Sequence, residues 1–205
     1  MKVIFALVLV LASALAQAQE STLEKIGPQI NQFRQLLLKS AKPYRRSLVV
    51  DELVEKMGML DVDVYVSTQT VPGGAMYFPG IILIGADVAD LPREQMAFVL
   101  AHEYAHHTRM HWSSTLSRGV GLARAAGKAW STFEELHPFT EKAVTPECSR
   151  EDELDADKTA VLLLKSSGLY NQNAVADLLL KLAEPMDSDT HPGALTRINA
   201  IAAVR

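Results

Sequence analysis

A chain of 205 residues that is 48% hydrophobic and 21% charged is long enough to bury a core and too mixed to be a disordered tail. Its formal charge of −4 supplies no basic face, which argues against a nucleic-acid partner. The single cysteine, Cys148, excludes an intramolecular disulfide; with no histidine near it in sequence, it reads as a free structural thiol.

Met1-Lys2 precedes an apolar run from Val3 to Ala12, followed by small residues in A-x-A spacing up to Ala18. That order is a secretory signal peptide over residues 1–18, cleaved after Ala16 or Ala18. The run is short for a membrane span, which needs ~20 apolar residues. No cysteine follows it to carry a lipid. The expectation is an exported chain, periplasmic or secreted, with no stable membrane anchor and one domain over residues 19–205.

Ser21 to Ser40 reads as a helix with apolar positions at helical spacing. A second helix is expected from Arg45 to Met57, with Leu48, Val49, Leu53 and Met57 inward and Gly58 ending it. The period then changes to two. Val62, Val64 and Val66 alternate with polar residues, which predicts a strand over Val62–Ser67. Val71-Pro72-Gly73-Gly74 reads as a turn, and Ala75–Phe78 and Ile81–Gly85 as two more strands. Together they predict a small antiparallel sheet with the proline-flanked Ala75–Phe78 at its edge.

A helix follows from Pro92 to Met110, with Met96, Val99 and Leu100 giving it a buried side. Trp112 to Trp130 reads as a helix or an ordered loop, too charged to span a bilayer. His137 to Cys148 reads as a loop with a short helix. Further helices are expected at Ser149–Ser166, Asn173–Ala183 and Ala194–Ala203. The layout is α+β and mostly helical.

Within the Pro92–Met110 helix lies Ala101-His102-Glu103-Tyr104-Ala105-His106. Residues four apart share a helix face, so His102 and His106 can aim at one point with Glu103 beside them. Two neutral imidazoles suit a zinc ion, and the adjacent carboxylate can take a proton from water. A catalytic zinc takes a third protein ligand and keeps an open position. In Glu151-Asp152-Glu153-Leu154-Asp155-Ala156-Asp157, Glu153 and Asp157 fall on the apolar stripe with Ala160, Val161 and Leu164. Glu151, Asp155 and Lys158 fall opposite and look solvated. A carboxylate on a buried face needs a partner. A zinc ion answers for Glu153, and the N–H of a ligand histidine answers for Asp157. His107 points about 100° away from the ligand face and reads as structural or exposed. Tyr77 and Tyr104 have hydroxyls that can donate hydrogen bonds in the cleft, but they read first as packing residues.

H-E-x-x-H followed by Ser149-Arg150-Glu151-Asp152-Glu153-Leu154-Asp155-Ala156-Asp157 resembles the gluzincin peptidases that include the CAAX prenyl endoproteases, the HtpX-type and the Oma-type proteases. Gly74 to Gly80 is similar to the family's strand before the active helix, although the family often has Asn where this chain has Gly74. His111 resembles a histidine that often follows the second ligand, and reads as a supporting residue. His191-Pro192 with Arg197 resembles the C-terminal pattern. The resemblance covers about residues 62–201. It implies a zincin-like fold, one Zn2+ held by His102, His106 and Glu153, Glu103 as general base, and His191 and Arg197 holding substrate or transition state. The family's transmembrane helices are missing, which suggests a soluble exported member.

The function expected from these readings is a zinc metalloendopeptidase acting on protein or peptide substrates. An extended substrate along the Ala75–Phe78 edge is read through its backbone. That suits unfolded or misassembled exported proteins and possible association with envelope proteins. The alternative is a chaperone-like client-binding module with a structural or gated zinc site.

Overall fold

The switch to alternating valines marks where the chain enters a four-stranded sheet of order β1-β2-β4-β3. Its strands are β1 (Pro43–Tyr44), β2 (Asp63–Ser67), β3 (Ala75–Phe78) and β4 (Ile81–Ile84). The computed structural model describes residues 26–32, 34–39, 43–44, 47–68, 71, 74–182, 186–188 and 191–204. The signal-peptide reading of residues 1–18, the start of the first expected helix and Pro72-Gly73 of the expected turn lie outside them. Residues 26–32 and 34–39 are helical.

β3 and β4 form an antiparallel hairpin. β4 then lies parallel to β2, with Asp63 opposite Ile81 and Val66 opposite Ile84. The expected all-antiparallel sheet is therefore corrected to a mixed one. The reason is burial. Ile81, Ile82, Leu83 and Ile84 are all buried, and a strand apolar on both faces belongs in a sheet's interior. Taking that place between β2 and β3 makes β4 parallel to β2. β3, with only Phe78 fully buried, is left at the edge, as its flanking prolines predict. Gly74 opens β3 at φ +83°, a conformation that Gly and Asn tolerate best.

Contacts divide the chain into two compact units, Leu37–Ser114 with Val144–Arg205, and Met1–Leu36 with Thr115–Ala143. In the first of these, α1 (Leu48–Met57) is capped by the Ser47 hydroxyl, which accepts from the Val50 N–H, and ends at Gly58. This later start shifts the buried stripe to Val50, Leu53, Val54 and Met57. Leu48 and Val49 are exposed, not inward as expected. After the single turn α2 (Ala86–Ala89) come α3 (Arg93–Thr108) and the start of α4 (His111–Ala125).

α6 (Pro146–Ser166) begins three residues before the expected Ser149. Thr145 caps it through the Cys148 N–H and Pro146 takes its first turn, where a proline's missing N–H costs nothing. α7 (Gln172–Leu182) and α8 (Ala194–Ala202) complete this unit. α3 packs chiefly against α6. Ala97, Ala101 and Ala105 on one helix and Ala156 and Ala160 on the other are almost wholly buried. Such small side chains let two helix axes come close.

In the other unit, Thr115–Ala125 of α4 and α5 (Phe133–Ala143) are helical. The loop expected around His137-Pro138 is instead inside α5. The cause is a reciprocal cap. Thr132 Oγ1 accepts from the Glu135 N–H at 3.3 Å. Glu135 Oε2 accepts from the N–H groups of Ser131 at 2.7 Å and Thr132 at 3.3 Å. Such a cap fixes where the helix starts, and Pro138 then costs it one main-chain bond. Gly119 of α4 marks a close approach to α5, because a Cβ there would lie 2.6 Å from Thr140 Cγ2 and 2.9 Å from Thr140 Cα. Gly119→Ala is expected to destabilise this unit by about 1–3 kcal/mol, the usual cost of overpacking, read as a lowered melting temperature.

Candidate metal centre

His102 and His106 occupy successive turns of α3, and Glu153 reaches across from α6. Three distances define the site. His102 Nε2 lies 3.2 Å from His106 Nε2. Glu153 Oε2 is 3.3 Å from His102 Nε2, and Glu153 Oε1 is 3.3 Å from His106 Nε2. Donors bound to a tetrahedral ion at zinc distances lie about 3.3 Å from one another. The three residues therefore form a triangle, with one Glu153 oxygen turned to each nitrogen, whose spacings match those between donors to one such ion. These three residues are the one group of metal-binding character among the described residues.

The hydrogen bonds settle which ring nitrogens are free. A carboxylate only accepts. Asp157 Oδ1, 2.9 Å from His102 Nδ1, thus takes the Nδ1–H, so that in the neutral ring His102 Nε2 is bare. Asp155 Oδ2, 3.2 Å from His111 Nε2, takes that N–H. His111 Nδ1 is then an acceptor and faces His106 Nδ1 at 2.9 Å. His106 donates there, which leaves its Nε2 bare as well. Two bare nitrogens 3.2 Å apart cannot hydrogen-bond each other, but both can face one cation. The residues present fit a metal, and second partners of this kind orient ligand rings.

Each of those partners is itself held. Arg197 grips Asp157 with two bonds, Nε to Oδ2 at 2.7 Å and Nη2 to Oδ1 at 2.6 Å. Asp157 is fully buried, and against the effect of burial the Arg197 and His102 bonds hold its pKa below the usual carboxylate range. Arg109 Nε donates to Asp155 Oδ2 at 2.6 Å. Burial would lower the His102 pKa, but its bonds to Asp157 and Glu153 outweigh that and hold it up at about 10. The same carboxylates favour a metal cation at this point. At neutral pH a second proton therefore sits on His102 Nε2 when no metal is bound, and it must leave before a metal can bind there. Metal affinity is therefore expected to climb by about tenfold per pH unit for each proton displaced, flattening near pH 10. Competition with a chromophoric chelator across this range measures the slope.

A cleft of about 530 Å³ opens over the triangle. Glu103 lines it, partly exposed. Burial raises the Glu103 pKa above the usual carboxylate range, partly offset by the two histidines and by the N–H of Tyr77, from which it accepts. Ala75 of β3 and Leu182 of α7 also line it. His191 lies on the rim, its loop closed by bonds between Ser188 and His191 main-chain groups. Arg197 also lines the cleft, with its fork engaged by Asp157.

The structure thus brings His102, His106, Glu153, Glu103, His191 and Arg197 to one cleft, with Asp157 buried behind it against His102 and Arg197. Sequence reading missed Asp155, set down as solvated. It is 37% exposed on its side chain, yet it reaches His111. Helical phase within α6 carries no sign of that, because the partner comes from the start of another helix.

A family model described as Peptidase family M48 matches residues 42–205. No curated protein matches the chain.

Proposed function

The chain belongs to peptidase family M48, and from that premise we propose that it is a zinc-dependent endopeptidase acting on extended, unfolded segments of exported proteins. Membership makes it a peptidase of a metal-dependent family. The observation that carries the rest is the 3.2–3.3 Å triangle of two bare imidazole nitrogens and one carboxylate. Two nitrogens and one oxygen are a donor set that zinc accepts.

His102, His106 and Glu153 hold the ion in this reading. When bound, the ion supplies Lewis acidity and lowers the pKa of water to about 7. Glu103 takes the proton of the attacking water and passes it to the leaving amine. A carboxyl whose pKa is raised by burial is suited to hold a proton between those two transfers. His191 on the rim donates to the oxygen on which charge develops. Asp157, gripped by Arg197, keeps the His102 ring oriented. Arg197 serves the site through that grip as well as through its edge in the cleft.

Substrate lies extended along β3. Alternate residues of an edge strand direct both main-chain groups outward. The Tyr77 N–H points away from β4 to Glu103, so Ala75, two residues earlier, presents its main chain to the same side. Recognition through main-chain bonds favours chains that are already unfolded. Export rests on the N-terminal signal pattern. No helix among the described residues is long and apolar enough to cross a membrane.

Purified chain assayed on casein, with metal content measured alongside, tests the proposal. Activity should track one zinc per chain, vanish with excess chelator and return when zinc is restored. Full cleavage in chelator defeats the metal mechanism. Client binding without cleavage in the zinc-loaded chain would favour a chaperone-like module. Fractionation of the producing cell tests export, which a cytoplasmic precursor with an intact N-terminus would refute.

A further inference from the structure

On the side of α3 turned away from the triangle, four polar side chains close on one another. Tyr77 OH lies 2.9 Å from His107 Nδ1. His107 Nε2 lies 2.8 Å from Asp61 Oδ2. Tyr104 OH donates to Asp61 Oδ1 at 2.8 Å. The Asp61 carboxylate can only accept, so His107 carries its proton on Nε2 and takes the Tyr77 O–H on Nδ1. Burial pushes the Tyr77 phenol up to about 12, so it keeps the proton it donates. Against burial, the bonds from Tyr104 and His107 hold the Asp61 carboxyl below its ordinary range. Every bond in the cluster has one defined direction.

The cluster joins three separate elements. Asp61 lies in the loop leading into β2, Tyr77 is on the edge strand β3, and Tyr104 and His107 are on the last turns of α3. Tyr77 is the link to the chemistry. Its phenol is held by His107, while its main-chain N–H is given to Glu103. One residue therefore ties the strand to the helix twice, once by its side chain and once by its main chain. None of the four side chains faces the metal triangle.

We propose that Asp61, Tyr77, Tyr104 and His107 form a positioning network that holds the free edge of β3 at a set distance from Glu103, and so determines how an extended peptide is presented for cleavage. The inference rests on the peptidase reading above. These are positioning residues, acting through the strand and not on the reacting atoms. Loosening them lets β3 drift from α3, so an extended chain pairs with a moving template. Binding suffers first. Chemistry on the chains that do pair is carried out by the same triangle and the same Glu103, with β3 back in place.

The test uses the zinc-loaded full chain carrying Tyr77→Phe, Asp61→Asn, or both. Two readouts are taken: steady-state kinetics on an extended peptide, and hydrogen exchange of the β3 amides. Loss of one hydrogen bond from the tether should speed β3 exchange and raise KM by about tenfold each, with kcat within about twofold and zinc content unchanged. Because both substitutions cut the same chain of bonds, the double variant should be little worse than either single one. Unchanged β3 exchange overturns the network whether or not any peptide is cleaved. Unchanged KM, or a kcat that falls together with zinc content, also overturns it. Failure of the wild-type chain to cleave any peptide with zinc bound defeats the peptidase reading instead, and the exchange result still decides whether the tether exists.

Discussion

Replacing Glu103 by Gln is expected to leave the zinc content and the melting temperature of the chain unchanged and to lower peptide hydrolysis by about 10²–10⁴-fold, the range of general acid–base catalysis. The substitution is nearly isosteric. The Gln amide oxygen can still accept the Tyr77 N–H that Glu103 accepts now, so β3 stays in place. His102, His106 and Glu153 are untouched, so the ion stays bound. What is lost is a group that can take a proton from water and hand it on. Metal analysis, thermal denaturation and initial rates on one preparation separate these effects. A variant within tenfold of the parent rate, zinc still bound, would remove Glu103 from the mechanism.

The second large effect lies at Arg197. Asp157 is fully buried and carries a negative charge that two Arg197 bonds offset. Arg197→Ala leaves that charge with His102 alone. Breaking a buried ion pair from one side costs about 3–5 kcal/mol, which in a chain of this size lowers the melting temperature by about 10 °C. Loss of such a support also weakens metal binding by about 10–100-fold. The pH dependence has a definite sign. Asp157 has a depressed pKa in the folded chain, so the pair stabilises above the unfolded carboxyl value of about 3.9 and fades as pH falls below it. The difference between parent and variant is therefore largest at neutral pH and shrinks toward acid. Thermal denaturation at pH 7 and pH 3 reads it. An equal difference at both values would show that lost packing, not charge, is responsible.

How much of this could be read in advance depends on the range of the interaction. The i, i+4 spacing of His102 and His106 guarantees a shared helix face wherever that helix lies. The phase of α6 separates Glu153 and Asp157 from Glu151 and Lys158 by the same local rule, and burial follows it. The Gly58 stop and the edge position of β3 also follow from short-range chemistry. Two misreadings were avoidable from the residues alone. Ser47 caps α1 and sets its buried stripe, and Thr145-Pro146 is a helix start in its own right.

Other features depend on elements far apart in the chain. β4 lies between β2 and β3 because of what covers its two faces, and strand order along the chain cannot express that. Asp155 looked solvated because its partner, His111, comes from a helix that begins 44 residues earlier. Asp61, Tyr77, Tyr104 and His107 share no motif, and only the packing of β3 against α3 makes them neighbours. The amino-acid sequence by itself determined which side chains could bind a metal and on which helix faces they stand, because helical geometry places residues a turn apart without help from the rest of the chain. The tertiary structure alone decided that the two faces meet at 3.3 Å and which groups hold the ligands still. Those outcomes rest on how closely small buried residues let α3 and α6 approach, and on hydrogen bonds between distant elements that no local spacing encodes.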